Sequence, residues 1–175
     1  MNNITIISGT NRPNSNTEIV SRFCYEELSK TGLSVKFLSL MDLPESIAFS
    51  EMYGKRTPEF EKLVNDYFVE SSKFLILSPE YNGSFPGILK TLIDAIHPKI
   101  WNFKKVGLIG VSDGRAGNLR GIEHLTLIMH YLKVHVFYNK LPISSISKLI
   151  NEQRELSDED TKKVIGNYLE MFVKF

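Results

Sequence analysis

The first polar loop of the chain is crowded with hydrogen-bond donors. Residues 8–17, SGTNRPNSNT, follow the apolar run ITII and precede a helical pattern. The free N–H groups and the dipole at a helix N-terminus favour an anion there. Arg12 adds a planar cation that suits phosphate oxygens, and Gly9 permits a tight turn. The residue types therefore predict a phosphate-binding loop with these donors: Thr10, Arg12, Ser15, Asn16 and Thr17.

The pattern of glycines in this loop indicates which kind of phosphate group it would bind. The loop lacks the G-x-x-x-x-G-K-[ST] pattern of NTP-binding loops and the G-x-G-x-x-G turn of dinucleotide-binding domains. Hydroxyl and amide side chains in place of glycines favour a terminal phosphomonoester held on several sides. Flavodoxin-like proteins hold the phosphate of FMN in a similar loop. The alternative is a polar loop in which Ser15 or Asn16 only caps the helix.

A second loop, residues 78–87 with the sequence SPEYNGSFPG, is predicted to be rigid. Two prolines, two glycines and an Asn-Gly pair restrict it to a defined turn. A rigid turn with exposed N–H groups can line the edge and the face of a flat ring. Glu80 and Tyr81 at its tip are costly choices for a purely internal role. The alternative is a tight turn without a ligand.

A third loop, residues 112–121 with the sequence SDGRAGNLRG, follows another apolar run. Its three glycines let the backbone approach a flat ligand closely. Arg115 and Arg120 either contact that ligand or pair with surface carboxylates, and the sequence leaves both possibilities open.

The loops resemble the signature of one enzyme family. The stretch SPEYNGSFPGILKTLIDA is similar to that of the NADPH-dependent FMN reductase family, which includes quinone, chromate and azo-dye reductases. The first loop resembles the family pattern Gly-Ser-x-Arg-x-x-Ser-x-Asn, and the third resembles Ser-x-Gly-x-x-Gly-Gly-x-Arg. Asn16 departs from the pattern by following Ser15 directly, and Asn118 stands at the usual second glycine. The matching positions of the second loop are Ser78, Pro79, Glu80, Tyr81, Asn82, Pro86, Gly87, Leu89, Lys90 and Asp94.

The resemblance implies a role for each loop. Thr10, Arg12 and Ser15 would bind the FMN phosphate, and either Asn16 or Thr17 would make the final contact. The third loop would close over the pyrimidine edge of the flavin, where N–H groups stabilise negative charge on the reduced ring. The second loop would embrace the isoalloxazine ring, chiefly through backbone amides. The residues implied for these last two loops are Pro79, Glu80, Tyr81, Asn82, Gly83, Ser112, Gly114 and Gly117.

Short apolar runs must position these loops. The runs at 4–8, 73–78 and 105–112 are rich in Ile, Leu, Val and Phe, which is typical of strands covered on both faces. Those at 34–40 and 133–138 alternate polar and apolar residues more, which suits the edges of a sheet. Strict alternation with helical patterns predicts a parallel, doubly wound sheet with a ligand outside its carboxyl edge.

Five helices are predicted between and after the strands. The last begins at the capping-box pattern SDED of residues 157–160 and is expected to bury Val164, Ile165, Tyr168, Leu169 and Phe172. The others are marked by apolar spacing from 19 to 28, by Thr57-Pro58, by Pro86 and by residues 119–131. The resemblance makes this α/β fold a flavodoxin-like three-layer sandwich, with a five-stranded parallel sheet of order 2-1-3-4-5 and helices on both faces. We expect residues 1–175 to form a single FMN-binding domain.

Composition excludes several other classes of protein. The net charge of +1 gives no electrostatic reason to expect nucleic acid or a membrane surface as a partner. No apolar run approaches the roughly 20 residues of a membrane helix. The single cysteine, Cys24, excludes an internal disulfide and a Cys-based zinc site, and it lies on an apolar helix face that suggests core packing. Without signal-peptide features, the expected location is cytoplasmic.

No residue pattern predicts a catalytic acid, base, nucleophile or metal site. The chain lacks a G-x-S-x-G elbow, and its four histidines lack the H-E-x-x-H spacing of zinc ligands. Trp101 is expected to pack internally or to meet another subunit rather than to touch the flavin.

The resemblance implies an FMN-dependent oxidoreductase. NADPH or NADH would pass hydride to bound FMN, and a quinone, azo dye, metal oxyanion or free flavin would then be reduced in the same place. The alternative is a non-enzymatic flavodoxin-type electron carrier or FMN-binding module, although true flavodoxins are usually strongly acidic. The resemblance also implies a homodimer or homotetramer, with residues 43–55 as a cap over the flavin or as part of the subunit contact.

Overall fold

Strands and helices alternate through most of the chain, but not strictly as predicted, because an additional short helix at Pro98–Trp101 directly follows the helix Gly87–Ala95 and the last two strands are consecutive. The computed structural model describes residues 3–53 and 55–175. The strands are β1 (Asn3–Ser8), β2 (Ser34–Ser39), β3 (Lys73–Pro79), β4 (Lys105–Val111), β5 (His135–Val136) and β6 (Leu141–Ile143). The helices are α1 (Asn16–Ser29), α2 (Pro58–Val64), α3 (Gly87–Ala95), α4 (Pro98–Trp101), α5 (Leu119–Tyr131) and α6 (Glu159–Lys174). A π-helical turn, Asn65–Val69, extends α2.

The sheet has the predicted parallel order, β2-β1-β3-β4-β5. The direction of strand order reverses between β1 and β3, which pair in register Ile4↔Lys73. One hydrophobic cluster joins the sheet to α2, α3 and α5, and a second joins it to α1 and α6. Helices therefore cover both faces, and the expected ligand position lies outside the carboxyl ends of β1 and β3.

The end of the sheet differs from the five strands predicted. Instead of one strand over 133–138, the chain pairs with β4 at His135–Val136 and again at Leu141–Ile143, so a sixth strand is present. Lys133 has a positive φ of 58°, which delays the start of the strand. Pro142 has no N–H to donate and is tolerated because β6 lies at the edge of the sheet. Two short pieces thus cover the edge of β4.

Two of the predicted helix starts have side-chain caps, but the last helix is capped by Asp158 and not by Ser157, the first residue of the predicted capping box. The Thr57 hydroxyl accepts a hydrogen bond from Phe60 N at 3.2 Å, and Asp158 Oδ1 accepts one from Thr161 N at 2.8 Å. The expected buried face of α6 is wrong at one position, because Val164 is 50% exposed. The other four predicted residues share a narrower stripe at i, i+3, i+4 and i+7, and Val164 lies beside it.

Trp101 and Cys24 are both core residues. The indole of Trp101 is buried, with ring centroids 5.4 Å from Phe68 and 5.1 Å from Phe74. Internal packing is therefore the correct choice between the two predicted for it. Burial of the Cys24 side chain raises the pKa of its thiol well above the ordinary value, so this cysteine is a packing residue.

Candidate cofactor-binding cleft

The three predicted loops come together around one open cleft at the carboxyl edge of the sheet. The cleft has a volume of about 650 Å³, which is in the range of small-molecule and cofactor sites. All but two of the predicted cofactor-binding residues line it: Arg12, Ser15, Asn16, Thr17, Pro79, Glu80, Tyr81, Asn82, Gly83, Ser112 and Gly114. The loops of three different strands thus form a single site.

The two remaining predicted residues, Thr10 and Gly117, lie behind the cleft wall. Thr10 is 1% exposed. Its Oγ1 makes a 2.9 Å hydrogen bond with the Tyr81 hydroxyl and accepts another from Arg12 N at 3.1 Å. Gly117 has a φ of 56°, and a Cβ there would lie 2.8 Å from the backbone N of Ile143. Thr10 therefore joins the first loop to the second, and Gly117 lets the third loop pack against β6.

One end of the cleft is formed by the N-terminus of α1. Ser15 caps the helix, since its Oγ accepts a 3.1 Å hydrogen bond from Glu18 N. A hydroxyl can accept and donate at once, so this cap is compatible with a further donor role. N–H groups in a first helical turn, such as those of Asn16 and Thr17, have no carbonyl acceptor within the helix. Together with the exposed Arg12, this end offers the donors that a phosphomonoester needs.

Arg154 adds a second guanidinium at the same end, and sequence reasoning missed it. Its Nη1 donates to Asn16 Oδ1 at 3.1 Å, and its Nη2 donates to Asn14 O at 2.5 Å. Arg154 lies far along the chain from the first loop, so no local motif signals the contact. The other lining residues that were not predicted are Asn14, Val111, Asp113, Ile146 and Ser147.

The other end of the cleft is a closed two-residue turn. Tyr81 N donates to Ser84 O at 2.8 Å, and Ser84 N donates to Tyr81 O at 3.1 Å. Asn82 and Gly83 between them have positive φ values of 53° and 78°, as the predicted rigid Asn-Gly turn requires. The turn therefore presents a fixed backbone to the cleft.

Helix α5 supports this turn from outside. Arg120 lies against Gly83, because a Cβ on that glycine would be 2.7 Å from Arg120 Nη1. The Ser84 hydroxyl makes a 2.8 Å hydrogen bond with His124 Nδ1. Within the described residues, neither Arg115 nor Arg120 forms an ion pair with a carboxylate, so that alternative for the two arginines is not observed.

Asn118 explains the departure of the third loop from the glycine-rich pattern. Its side chain is fully buried, and its Nδ2 donates at 2.9 Å both to Ser78 O and to Pro79 O. Its φ is 63°, a conformation that Asn tolerates better than most residues. A Cβ on Gly121 would lie 2.1 Å from Asn118 Oδ1. The asparagine thus ties the third loop to the second, and it requires a glycine one turn later.

Asp113, at the tip of the third loop, is already engaged by the protein. Its Oδ1 accepts a 2.8 Å hydrogen bond from Ser147 N. Hydrogen bonds from the side chain and backbone of Ser147 lower the pKa of this carboxyl. Asp113 is therefore an anion with a protein partner, in contrast to the two guanidiniums at the α1 end.

Residues 43–53 and 55 do not line the cleft. Their π-helical turn, Ile47–Glu51, packs against α3, while Phe49 and Tyr53 are more than four-fifths exposed. Glu51 is buried and accepts a 2.8 Å hydrogen bond from Thr57 N. Gly54 of this segment lies outside the described residues. The segment thus lies beside α3, which follows the second loop.

Comparison with known proteins identifies the family. A model of the family described as NADPH-dependent FMN reductase matches residues 2–147. The chain belongs to this family. A 2-hydroxy-1,4-benzoquinone reductase of Burkholderia sp is 28% identical over 151 residues, which is 83% of this chain and 80% of the relative. An FMN-dependent NADPH-azoreductase of Staphylococcus aureus is 30% identical over 134 residues, 73% of this chain and 69% of the relative.

Solved structures support the fold of this FMN reductase family member. The flavoenzyme NAD(P)H:(acceptor) oxidoreductase of Paracoccus denitrificans superposes with a TM-score of 0.81 at 21% identity, over 99% of this chain and 96% of that one. A short-chain flavodoxin superposes with a TM-score of 0.63 at 14% identity, over 99% of this chain and 98% of that one. At these identities the comparison shows the flavodoxin-like fold alone.

The family assignment makes the chain an FMN-dependent, NAD(P)H-using oxidoreductase. The cleft residues fit FMN, because two guanidiniums and a helix N-terminus suit its phosphate and a fixed turn suits its ring. Over residues 3–53 and 55–175, no cluster of three or more His, Cys, Asp or Glu could hold a metal ion. In the same part of the chain, no helix is both long and apolar enough to cross a membrane.

Proposed function

We propose that this single-domain chain binds FMN in the cleft and reduces a quinone, azo, metal-oxyanion or free-flavin acceptor with NADPH or NADH. The observation that supports this most is the 2.9 Å hydrogen bond between Thr10 Oγ1 and the Tyr81 hydroxyl, which joins the phosphate loop to the ring loop behind the wall of the cleft. Relatives named benzoquinone reductase and azoreductase support small organic acceptors.

In this proposal the residues of the cleft bind and orient. Arg12, Ser15 and the first-turn N–H groups of Asn16 and Thr17 hold the phosphate. The backbone from Pro79 to Gly83 holds the ring, while Ser112 and Gly114 face it from the third loop. FMN, when bound, supplies the hydride chemistry itself.

The protein adds position and electrostatics rather than a proton donor. A fixed turn at one end and charged donors at the other set where the ring lies, and correct placement alone accounts for large rate effects. A Gly114 Cβ would have 3.5 Å to its nearest neighbour, Ser112 Oγ. The backbone there is therefore open to a flat ligand. The electron-carrier alternative is less well supported, because the net charge is only +1.

We further infer that the chain forms a homodimer or homotetramer in the cytoplasm. Between α3 and α5 lies an apolar groove of about 370 Å³ that includes Ile93, Leu127 and Tyr131. Leu127 is 69% and Tyr131 85% exposed, and a second copy would cover both. The cytoplasm is also the source of reduced nicotinamide.

The substitution Arg12→Ala tests the binding site. Loss of a charged hydrogen bond to phosphate should raise the Kd for FMN about 10- to 100-fold and leave riboflavin affinity unchanged. Lys30→Ala is the matched control, because it removes an exposed cation at the opposite end of α1. Fluorescence titration measures both affinities. Native FMN affinity in Arg12→Ala would show that the phosphate assignment is wrong.

Anaerobic stopped-flow mixing tests the activity. Absorbance of the bound flavin should bleach with NADPH, NADH or both, and it should return on addition of an acceptor. A panel of a quinone, an azo dye, chromate and free FMN then identifies the acceptor class. Bound flavin that neither nicotinamide reduces would contradict the proposed reaction.

A further inference from the structure

Arg154 reaches the cleft from a segment outside the part of the chain that the family model matches. The match covers residues 2–147, and Arg154 lies in the turn between Ile150 and Leu156, which form an isolated antiparallel bridge. Its side chain lines the cleft at the N-terminus of α1. This C-terminal turn thus adds a cation to a site that the family loops build without it.

The turn holds Arg154 in place. Asn151 N donates to Glu155 O at 3.0 Å, and Asn151 Oδ1 accepts from Glu155 N at 2.8 Å. Arg154 N also donates to Asn151 O at 3.0 Å. Arg154 itself has a φ of 64°, a left-handed conformation that favours Gly or Asn. An arginine at this position is not the choice that the backbone alone would favour.

The guanidinium retains donors after holding the first loop. Of the five N–H groups of an arginine, one bonds to Asn16 Oδ1 and one to Asn14 O. The remaining donors are left for another acceptor. No carboxylate in the described part of the chain forms an ion pair with Arg154. Its charge therefore lies beside the α1 N-terminus and Arg12 with no protein anion paired to it.

We propose that Arg154 is a second phosphate ligand, which makes the cleft selective for a doubly charged terminal phosphomonoester. The proposal rests on FMN binding as argued above and deepens it. Two guanidiniums and a helix N-terminus around one phosphate favour a dianion over a phosphodiester or an uncharged hydroxyl. Riboflavin, which ends in a hydroxyl, is the ligand that should not respond to this residue.

Paired titrations with FMN and riboflavin test the proposal on the full-length protein. Arg154→Ala should raise the Kd for FMN about 10- to 100-fold and change the Kd for riboflavin less than about twofold. The Kd of Arg154→Lys for FMN should lie between those of the native protein and Arg154→Ala, because lysine keeps the positive charge but lacks the planar guanidinium group. Lys30→Ala is again the charge-matched control, since 14 helical residues separate it from the cleft by about 20 Å.

Arg154→Gly separates ligand binding from a structural role. Glycine adopts the φ of 64° without strain, and this gain offsets the loss of the exposed hydrogen bonds to Asn14 and Asn16. The ligand-free protein should therefore keep its Tm within about 2 °C while losing FMN affinity as Arg154→Ala does. The affinity of the native protein for FMN should also fall below about pH 6, where the phosphate takes up a proton, and fall less steeply in Arg154→Gly.

Four results are decisive. Equal losses for FMN and riboflavin, or no loss for either, would overturn the role of Arg154 and leave FMN binding intact. A native protein that binds neither flavin would instead overturn the proposed function itself. A loss confined to FMN, with riboflavin affinity and Tm retained, supports the proposal.

Discussion

At the amino edge of the sheet, lysine side chains reach the carbonyl groups at the ends of helical segments, whereas at the carboxyl edge arginines lie in an open cleft. Lys73 Nζ donates to Val173 O at 2.6 Å, near the end of α6. Lys104 Nζ donates to Ser71 O, also at 2.6 Å, and to the carbonyls of Phe68 and Val69. The negative ends of these helical segments are thus met by cations from the protein.

The carboxyl edge has the opposite polarity, and within the described residues neither Arg12 nor Arg154 forms an ion pair there. The positive end of α1 lies there with Arg12 and Arg154, while the nearby carboxylate of Asp113 is bonded to Ser147. An edge whose charges are matched within the chain contributes to stability. An edge with unmatched positive charge contributes a place for an anionic ligand, at a cost of mutual repulsion until the ligand binds.

Asn118 also lies at the carboxyl edge, but its buried side chain stabilises the fold rather than offering charge to a ligand. Of the substitutions considered, its replacement should lower the stability most. Asn118→Ala removes the side-chain donor to Ser78 O and Pro79 O, and of these two carbonyls Pro79 O keeps the 3.1 Å hydrogen bond from Ser78 Oγ. We expect the free energy of unfolding to fall by about 2–4 kcal/mol. FMN affinity should fall as well, because the ring loop loses its anchor. Urea denaturation and flavin titration measure the two effects.

Asn118→Gly is the matched variant for this prediction. It loses the same hydrogen bonds but accepts the φ of 63° without strain, so it should be about 1 kcal/mol more stable than Asn118→Ala. A loss below about 1 kcal/mol in Asn118→Ala would mean that the two carbonyls are satisfied in another way. The carboxyl edge would then lack the internal support inferred here.

Lys104→Met tests the amino edge. The change keeps the apolar stem and removes the donor to three backbone carbonyls, so we expect a loss of about 1–3 kcal/mol in unfolding free energy. Burial lowers the pKa of Lys104, and this desolvation offsets part of what the hydrogen bonds contribute.

The FMN affinity of Lys104→Met should remain within about twofold of the native value. The lysine lies just before β4, at the opposite end of the strand from the cleft. A clear change in the Kd for FMN would contradict the assignment of a purely structural role to the amino edge and of ligand binding to the carboxyl edge. Thermal denaturation of the ligand-free protein, beside flavin titration, distinguishes the two outcomes.

At the carboxyl edge, the sequence predicted those features that depend on residues adjacent in the chain. The strand-loop-helix pattern around residues 8–17 and the Asn-Gly turn are set by neighbouring residues, so motif and composition were enough to place them. The contact between Arg154 and Asn16 joins residues far apart in sequence. The role of Thr10 behind the wall depends on where Tyr81 lies. Neither follows from spacing along the chain.

The amino edge was not predicted at all, for a related reason. Lysines such as Lys73 and Lys104 read as ordinary polar residues flanking strands, and only the packing of α6 and the turn after α2 brings carbonyls to them. The split of the last strand between Val136 and Leu141 was also missed, because alternation of polar and apolar residues does not reveal which part of a run finds a partner.

Asp113→Asn should have the smallest effect and tests whether Asp113 is a counter-ion to the arginines of the cleft. The amide oxygen can still accept a hydrogen bond from Ser147 N, so the substitution removes only the negative charge. We expect the free energy of unfolding at pH 7 to fall by about 0.5 kcal/mol. Because the pKa of Asp113 is lowered in the folded state, its contribution is present above the unfolded value of about 4. The difference between native and variant should vanish as pH falls through the folded pKa, below that value.

The FMN affinity of Asp113→Asn shows whether Asp113 neutralises the positive charge at the carboxyl edge. If Ser147 engages the carboxylate, removing its charge should change the Kd for FMN less than about twofold. A tenfold or larger gain in affinity would mean that Asp113 neutralises the guanidiniums of Arg12 and Arg154. The carboxyl edge would then be matched within the chain, as the amino edge is, and an anionic ligand would have to displace that carboxylate to bind.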